Sequence, residues 1–71
     1  MTHEFNVQLS KLNRRMSALV ADLNTLHQQR AEATTEEQIS EYTEEIYSKL
    51  YEVEATANEI TELTYSLHTS L

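Results

Sequence analysis

The stretch Ala33–Gln38, which reads ATTEEQ, lies at the midpoint of a 71-residue chain and decides whether that chain is one long helix or two. Glycine and proline are absent, so no ordinary turn residue marks this point. The stretch carries helix-start signals instead. Thr34 is followed three residues later by Glu37, and Thr35 by Gln38, and both spacings match a capping box. We therefore expect a helix to start here, although a threonine pair inside one continuous helix is the alternative.

The residues before this stretch have the periodicity of a helix with one narrow apolar stripe. Large apolar side chains recur at alternating steps of four and three, which is the spacing of a coiled-coil seam. The pattern predicts a first helix over about residues 4–32. Its stripe consists of Phe5, Leu9, Leu12, Met16, Leu19, Leu23 and Leu26.

A second stripe follows, but it is out of phase with the first. If the first stripe continued, it would reach Glu37 and Ser40, whereas the apolar side chains are Ile39 and Tyr42. One straight helix would therefore turn its apolar face by about 200° at this point. A second helix is predicted over about residues 35–69, with Leu63 widening its stripe. The stripe consists of Ile39, Tyr42, Ile46, Leu50, Val53, Ala57, Ile60, Thr64, Leu67 and Leu71.

The two stripes are close to mirror images about the point between Thr34 and Thr35. Leu19 would meet Leu50 near the middle, and Arg15 would face Glu54. An antiparallel hairpin with a short loop has this symmetry, because each layer takes side chains from both arms. The predicted fold is all-α: a single-domain, two-helix antiparallel hairpin over residues 1–71, coiled-coil-like, with its turn near residues 33–36. The inward pairs would be Leu9–Ile60, Leu12–Ala57, Met16–Val53, Leu19–Leu50 and Leu23–Ile46, with the Lys49 ammonium turned to water.

Composition excludes several classes of function. The chain has no cysteine, and therefore no disulfide framework or thiolate metal site. Its net charge of −7 is concentrated in residues 34–71, which carry nine acidic side chains and one lysine. A negative chain is repelled by phosphate backbones and anionic lipids, so nucleic acid and membrane are not expected partners. No secretory signal or membrane-spanning run is apparent, and a cytoplasmic protein is expected.

Catalytic, cofactor and metal sites are not predicted. The hairpin would bring His3 and His68 together beside Glu4 at its open end, but nothing positions these residues as zinc ligands. The acidic run between Glu36 and Glu45 has no calcium-loop pattern. A two-helix hairpin also has no room for a cleft. The basic cluster Lys11, Arg14 and Arg15 is interpreted as balancing acids on the other arm.

The candidate binding residues are apolar side chains that lie off both stripes. Tyrosine is tolerated on exposed helices, but it is also enriched at protein interfaces. Two helices share only one interface, and a core this small usually needs a further support such as a partner or self-association. We therefore predict a protein-binding surface. Its candidate residues are Tyr47, Tyr51, Tyr65, Val7 and Val20.

Several features together resemble a known family. They are the Met1-Thr2 start, the long leucine-seamed first helix, the polar loop, and Glu37-Gln38 followed by Tyr42. In this combination the chain resembles YscE-type co-chaperones of the type III secretion needle subunit of bacteria.

The resemblance implies a non-enzymatic role. The protein would bind a helical-repeat chaperone, and the pair would keep the needle subunit soluble and unpolymerised in the cytoplasm. The alternative is a structural protein, namely a homo-oligomeric helical bundle or assembly factor that uses the same apolar surface.

Overall fold

A computed structural model of the chain describes residues 2–69, which form two α-helices joined by Ala33, Thr34 and Thr35. Helix α1 spans Thr2–Glu32 and helix α2 spans Glu36–Thr69. The helices pack side by side and run in opposite directions, within an envelope of 54 × 15 × 11 Å. The prediction of an all-α helical hairpin is confirmed.

The turn is built from side-chain caps instead of special backbone geometry. The Ala33 amide donates to the Arg30 carbonyl at 3.2 Å and ends α1. The Gln38 amide donates to Thr35 Oγ1 at 3.2 Å, so Thr35 is the N-cap of α2. In return, Gln38 Oε1 accepts from the Thr34 amide at 3.3 Å. No described residue has a positive φ, so the turn requires no glycine.

The apolar stripe predicted for α1 is the one that packs against α2. Each member is buried or half-buried, and Leu19 and Leu26 are the most deeply buried. The off-stripe residues Val7 and Val20 stay exposed. The α1 seam therefore consists of Phe5, Leu9, Leu12, Met16, Leu19, Leu23 and Leu26.

The stripe predicted for α2 is wrong at alternate positions. Leu50, Ala57 and Thr64 are exposed, and the residues preceding them are buried or half-buried instead. Ile39, the first member of the predicted stripe, is also exposed, at 37%. The widening of the stripe by Leu63 is confirmed. Leu71, also assigned to the stripe, lies outside the described residues. The observed α2 seam consists of Tyr42, Ile46, Lys49, Val53, Thr56, Ile60, Leu63 and Leu67.

The predicted pairing between the helices is wrong by about two residues. Leu50 is turned outward, so it cannot be the central partner of Leu19 in the seam. Arg15 pairs with Glu59 instead of Glu54. The Arg15 Nε also donates to Thr56 Oγ1 at 3.2 Å.

Lys49, whose ammonium is predicted to turn to water, reaches the solvent-accessible rim and forms ion pairs there that the sequence did not predict. Its ammonium lies 3.4 Å from Asp22 Oδ2 and 3.6 Å from Glu52 Oε2. Lys49 therefore occupies a seam position, with its side chain about one-third exposed and its charge held between two carboxylates at the rim. These cross-helix contacts set how far α2 is rotated about its own axis.

Candidate protein-binding surface

The heptad notation of coiled coils describes which way each side chain points. In α1, Leu9, Met16 and Leu23 occupy a positions, while Phe5, Leu12, Leu19 and Leu26 occupy d positions. In α2, Ile46, Val53, Ile60 and Leu67 occupy a positions, while Tyr42, Lys49, Thr56 and Leu63 occupy d positions. Positions g and c then lie on one side of the seam, positions e and b lie on the other, and f points away from it.

One broad side of the hairpin, the charged face, contains the g and c positions of both helices. The Arg15 guanidinium pairs with Glu59, which joins g positions of opposite helices. Thr56, only 2% exposed, accepts from Arg15 and donates to the Glu52 carbonyl at 2.8 Å. A buried hydroxyl with both roles filled is not destabilising. Besides Arg15, the charged face carries Glu4, Lys11, Asp22, Glu32, Glu41, Glu45, Glu52, Glu59 and Glu62.

The opposite side, the neutral face, contains the e and b positions. Because the g positions of the two helices adjoin, their e positions adjoin along the other edge of the seam. Among the described residues, Glu36 and Glu54 are the only aspartates, glutamates, lysines or arginines at these positions. The neutral face of α1 consists of His3, Asn6, Ser10, Asn13, Ser17, Val20, Asn24, His27 and Ala31. That of α2 consists of Glu36, Ser40, Thr43, Tyr47, Leu50, Glu54, Ala57, Thr61, Thr64 and His68.

The centre of the neutral face is apolar. Val20 is 44% exposed and Leu50 is 43% exposed, and both are e positions near the middle of their helices. Tyr47 lies about one turn before Leu50 on the same side of α2 and is also exposed. This arrangement leaves an aromatic ring and nearly half of each aliphatic side chain exposed to water.

The five predicted binding residues all lie on the surface, but they do not form a single patch. Tyr51 and Tyr65 are f positions on the outer line of α2, and they are 73% and 68% exposed. Tyr47 lies one turn from Tyr51. Val20 lies on the neutral face and Val7 on the outer line of α1. The structure thus groups Tyr47 with Tyr51, and separates Val7 from them.

Leu50 is the surface residue that sequence reasoning missed, because it was assigned to the core. The sequence of α2 allows two overlapping apolar stripes, and only one of them includes Leu50. The apolar Leu63 favours the stripe without Leu50, whereas the polar Lys49 and Thr56, which belong to that stripe, favour the one with Leu50. The sequence pattern alone therefore does not decide between the two stripes, and the contacts with α1 are needed to do so.

A shallow depression of about 430 Å³ lies near the open end of α2. It is mostly apolar and lies on the neutral face beside Tyr65. Its shape suits one side chain of a docking protein more than a small molecule, because ligand pockets normally enclose most of their ligand. It is lined by Ile60, Thr61, Thr64, Tyr65 and His68.

The described residues contain no group of three histidine, aspartate or glutamate side chains that could hold a metal ion. Within residues 2–69, neither helix has a stretch apolar enough for its length to cross a membrane. The basic cluster is divided: Arg15 is paired across the seam, whereas Lys11 and Arg14 have no carboxylate within ion-pair distance among residues 2–69. The predicted charge balance therefore applies to Arg15 alone. Comparison of the chain with protein-family models, curated proteins and solved structures finds no match.

Proposed function

We propose that the chain is a protein-binding co-chaperone that contacts a helical partner through Tyr47, Tyr51 and Tyr65 of α2. Following the resemblance to YscE-type proteins, the partner is a helical-repeat chaperone. The pair holds a type III secretion needle subunit soluble and unpolymerised in the cytoplasm.

The observation that carries this proposal is the exposure of the tyrosines after the hairpin has closed. Tyr51 and Tyr65 point directly away from the seam, so they contribute nothing to the packing of α1 against α2. An aromatic ring buries a large apolar area when a partner covers it, and tyrosine is over-represented among residues that dominate binding energy. These rings are therefore better explained by binding than by folding.

The spacing of the tyrosines suits an elongated partner. Tyr51 and Tyr65 are separated by two heptads, which places them about 21 Å apart on one line of the helix. Tyr47 extends this line by about one further turn toward the loop. Helices stacked in a repeat protein offer a contact surface of this length, whereas a small molecule would reach only one ring.

The test starts from the full chain with a tag, expressed in its source bacterium and recovered with whatever remains bound. Mass spectrometry is expected to identify a helical-repeat protein together with a small secreted subunit. Calorimetric titration of the purified repeat protein then measures affinity. The double substitution Tyr51→Ala with Tyr65→Ala is expected to weaken binding about thirtyfold, which corresponds to about 2 kcal/mol.

Two controls make this result specific. Ser48→Ala with Glu62→Ala changes exposed residues of the same helix on the charged face and is expected to leave the affinity within about twofold. Tyr51→Phe with Tyr65→Phe keeps both rings and is expected to retain most of the affinity. Unchanged affinity in the double alanine variant, with unchanged helicity by circular dichroism, would contradict the assignment and direct attention to Val7 and Val20. Recovery of no partner, with a stable oligomer of the chain alone, would favour the structural alternative.

A further inference from the structure

We propose that a second copy of this chain covers the neutral face, forming a two-fold symmetric four-helix bundle. In this dimer, α1 of each copy packs against α2 of the other, and both turns lie at the same end. The inference is tested on the purified chain alone, through Val20 and Leu50, so it can fail without the proposed function failing. The two surfaces share Tyr47.

The distribution of charge is the first argument. A chain with a net charge of −7 normally repels its own copies. Here, ten of the seventeen charged residues lie on the charged face. The neutral face carries only Glu36 and Glu54 among serine, threonine, asparagine, histidine and apolar side chains of the described residues. Two neutral faces can therefore approach each other without bringing the two clusters of acids together. Val20 and Leu50 lie at the centre, where desolvation on contact is most complete.

The size of the neutral face is the second argument. A broad side measuring 54 by 15 Å has an area of about 800 Å², so two copies would bury about 1,600 Å² in total. This value is that of a standard stable interface. The dimer would also give each helix a second packing partner, as in four-helix bundles assembled from two hairpins.

Charged residues at the borders of the neutral face distinguish the two possible symmetric dimers, which have the two-fold axis parallel to the helices or across them. Arg14, on the outer line of α1, has no ion-pair partner among residues 2–69. By the register that pairs Asp22 with Lys49, Arg14 lies at the height of Ala57, and Glu54 lies about one helical turn from it along the α2 side of the neutral face. A two-fold axis parallel to the helices brings Arg14 of each copy to within about one turn of Glu54 of the other, an offset that a long arginine side chain can span. An axis across the helices would instead place α1 against α1 and leave Glu54 without an opposing cation.

The shape of the open end agrees with the same arrangement. Val7 on α1 lies at the same height along the hairpin as Thr64 on α2. Thr64 lines the depression beside Tyr65. With the axis parallel to the helices, Val7 of one copy lies over this depression in the other. The same contact occurs twice, as an isologous interface requires.

The first experiment measures the mass of the purified full chain by sedimentation equilibrium across a range of concentrations. The expected result is a reversible species of twice the 8.2 kDa chain mass. Val20→Glu with Leu50→Glu is expected to raise the dimer dissociation constant at least a hundredfold, because two copies of each carboxylate would be buried or brought together. The matched control is Ala18→Glu with Ala55→Glu, which adds the same charges to exposed positions of the charged face and is expected to leave the dimer intact.

The second experiment tests the orientation of the two copies. Arg14→Glu alone is expected to weaken the dimer about tenfold, because it places a glutamate opposite Glu54. Combining Arg14→Glu with Glu54→Arg is expected to restore the affinity, because the pair re-forms with its charges exchanged. If Arg14→Glu weakened the dimer for a reason other than repulsion by Glu54, adding Glu54→Arg would not restore the affinity.

Three results would overturn the proposal. One is a wild-type chain that stays monomeric up to millimolar concentration. Another is a dimer broken by Ala18→Glu with Ala55→Glu but not by Val20→Glu with Leu50→Glu. The third is a failure of the charge exchange to restore affinity, which would rule out the parallel axis. If Val20→Glu with Leu50→Glu lowers helicity, Asn24→Glu repeats the test at an exposed polar position of the same face.

Discussion

Lys49 and Leu50 occupy neighbouring positions, but the more polar of the two lies in the seam. The lysine stem is half-buried between the helices, and its ammonium lies at the rim beside Asp22 and Glu52. A long amphipathic side chain can cover apolar surface in this way while its charge stays hydrated. Leu50 is left 43% exposed on the neutral face. Residue type alone would have assigned these two roles the other way round.

The contrast between Leu19 and Leu50 is a direct test of this arrangement. Leu19 is buried in the seam, so Leu19→Ala is expected to lower the free energy of unfolding by about 2–5 kcal/mol. Leu50→Ala removes a partly exposed side chain and is expected to cost less than half as much. Urea denaturation of both variants at one protein concentration, low enough to keep the chain monomeric, makes the comparison. A larger loss for Leu50→Ala would show that α2 is rotated as the sequence alone suggested.

Lys49→Leu is expected to stabilise the hairpin by about 1 kcal/mol. The substitution buries additional apolar area in the seam, at about 25 cal/mol per Å². The ion pairs that it removes are solvent-accessible, and such pairs contribute between about 0 and 1 kcal/mol. Lys11→Leu, at an exposed position of the charged face, is the control and should give no comparable gain. Thermal unfolding followed by circular dichroism measures both, and a lower melting temperature for Lys49→Leu would mean that its ion pairs outweigh the gain in burial.

At the scale of the elements, the turn between the helices depends on side-chain oxygen atoms. Thr35 Oγ1 and Gln38 Oε1 satisfy two backbone amides that would otherwise lack partners at the start of α2. The Thr35 carbonyl accepts from the Ile39 amide at 3.1 Å and continues the helix from there. Glu36 and Glu37 follow in the first turn, where their charges complement the helix dipole. These local interactions explain how a chain without glycine or proline reverses its direction.

Thr35→Ala is expected to destabilise the hairpin by about 1 kcal/mol, because it removes the N-cap oxygen of α2. Thr35→Ser keeps that oxygen and should lie close to the wild type. Thr34→Ala is the matched control: Thr34 contributes its backbone amide to the cap, and alanine retains that amide. Chemical denaturation ranks the three variants. A larger loss for Thr34→Ala than for Thr35→Ala would indicate that Thr34 forms the cap instead.

At the scale of the whole molecule, the hairpin buries one stripe of each helix and leaves the rest in water. Among the described residues, few side chains are fully buried, and they lie along a single line between the helices. A two-helix structure of this kind has little apolar burial with which to offset the entropy of ordering the chain. A partner or a second copy on the neutral face would supply the second interface that a lone hairpin lacks.

The closed hairpin predicts short distances within one chain. Spin labels at Gln8 and Thr61 are expected to lie within roughly 20 Å of each other, whereas one continuous helix would separate them by about 80 Å. Double electron–electron resonance measures this distance. Dilution with unlabelled chain removes contributions from a dimer. A long distance that persists on dilution would refute the hairpin, and a short distance that disappears would indicate exchange of helices between copies.

Local patterns in the sequence were enough to predict two helices, the fold point at ATTEEQ and every member of the α1 seam. They were also enough to identify Tyr47, Tyr51, Tyr65, Val7 and Val20 as lying off the seam. Helical periodicity and capping depend on residues three or four positions apart, so a single sequence contains both signals. The full set of exposed candidates is nevertheless incomplete without Leu50.

The tertiary structure alone decided the rotation of α2. The predicted and the observed stripe of α2 differ by a rotation of only about 50° about the helix axis. They share Tyr42, Ile46, Val53, Ile60 and Leu67. Contacts with α1 select one of them, through Arg15 with Thr56 and Glu59 and through Asp22 with Lys49. The residues in these contacts are far apart in sequence, so a pattern of neighbouring residues does not predict the contacts. The same rotation turns Leu50 outward beside Val20 and gives the hairpin one charged and one neutral face.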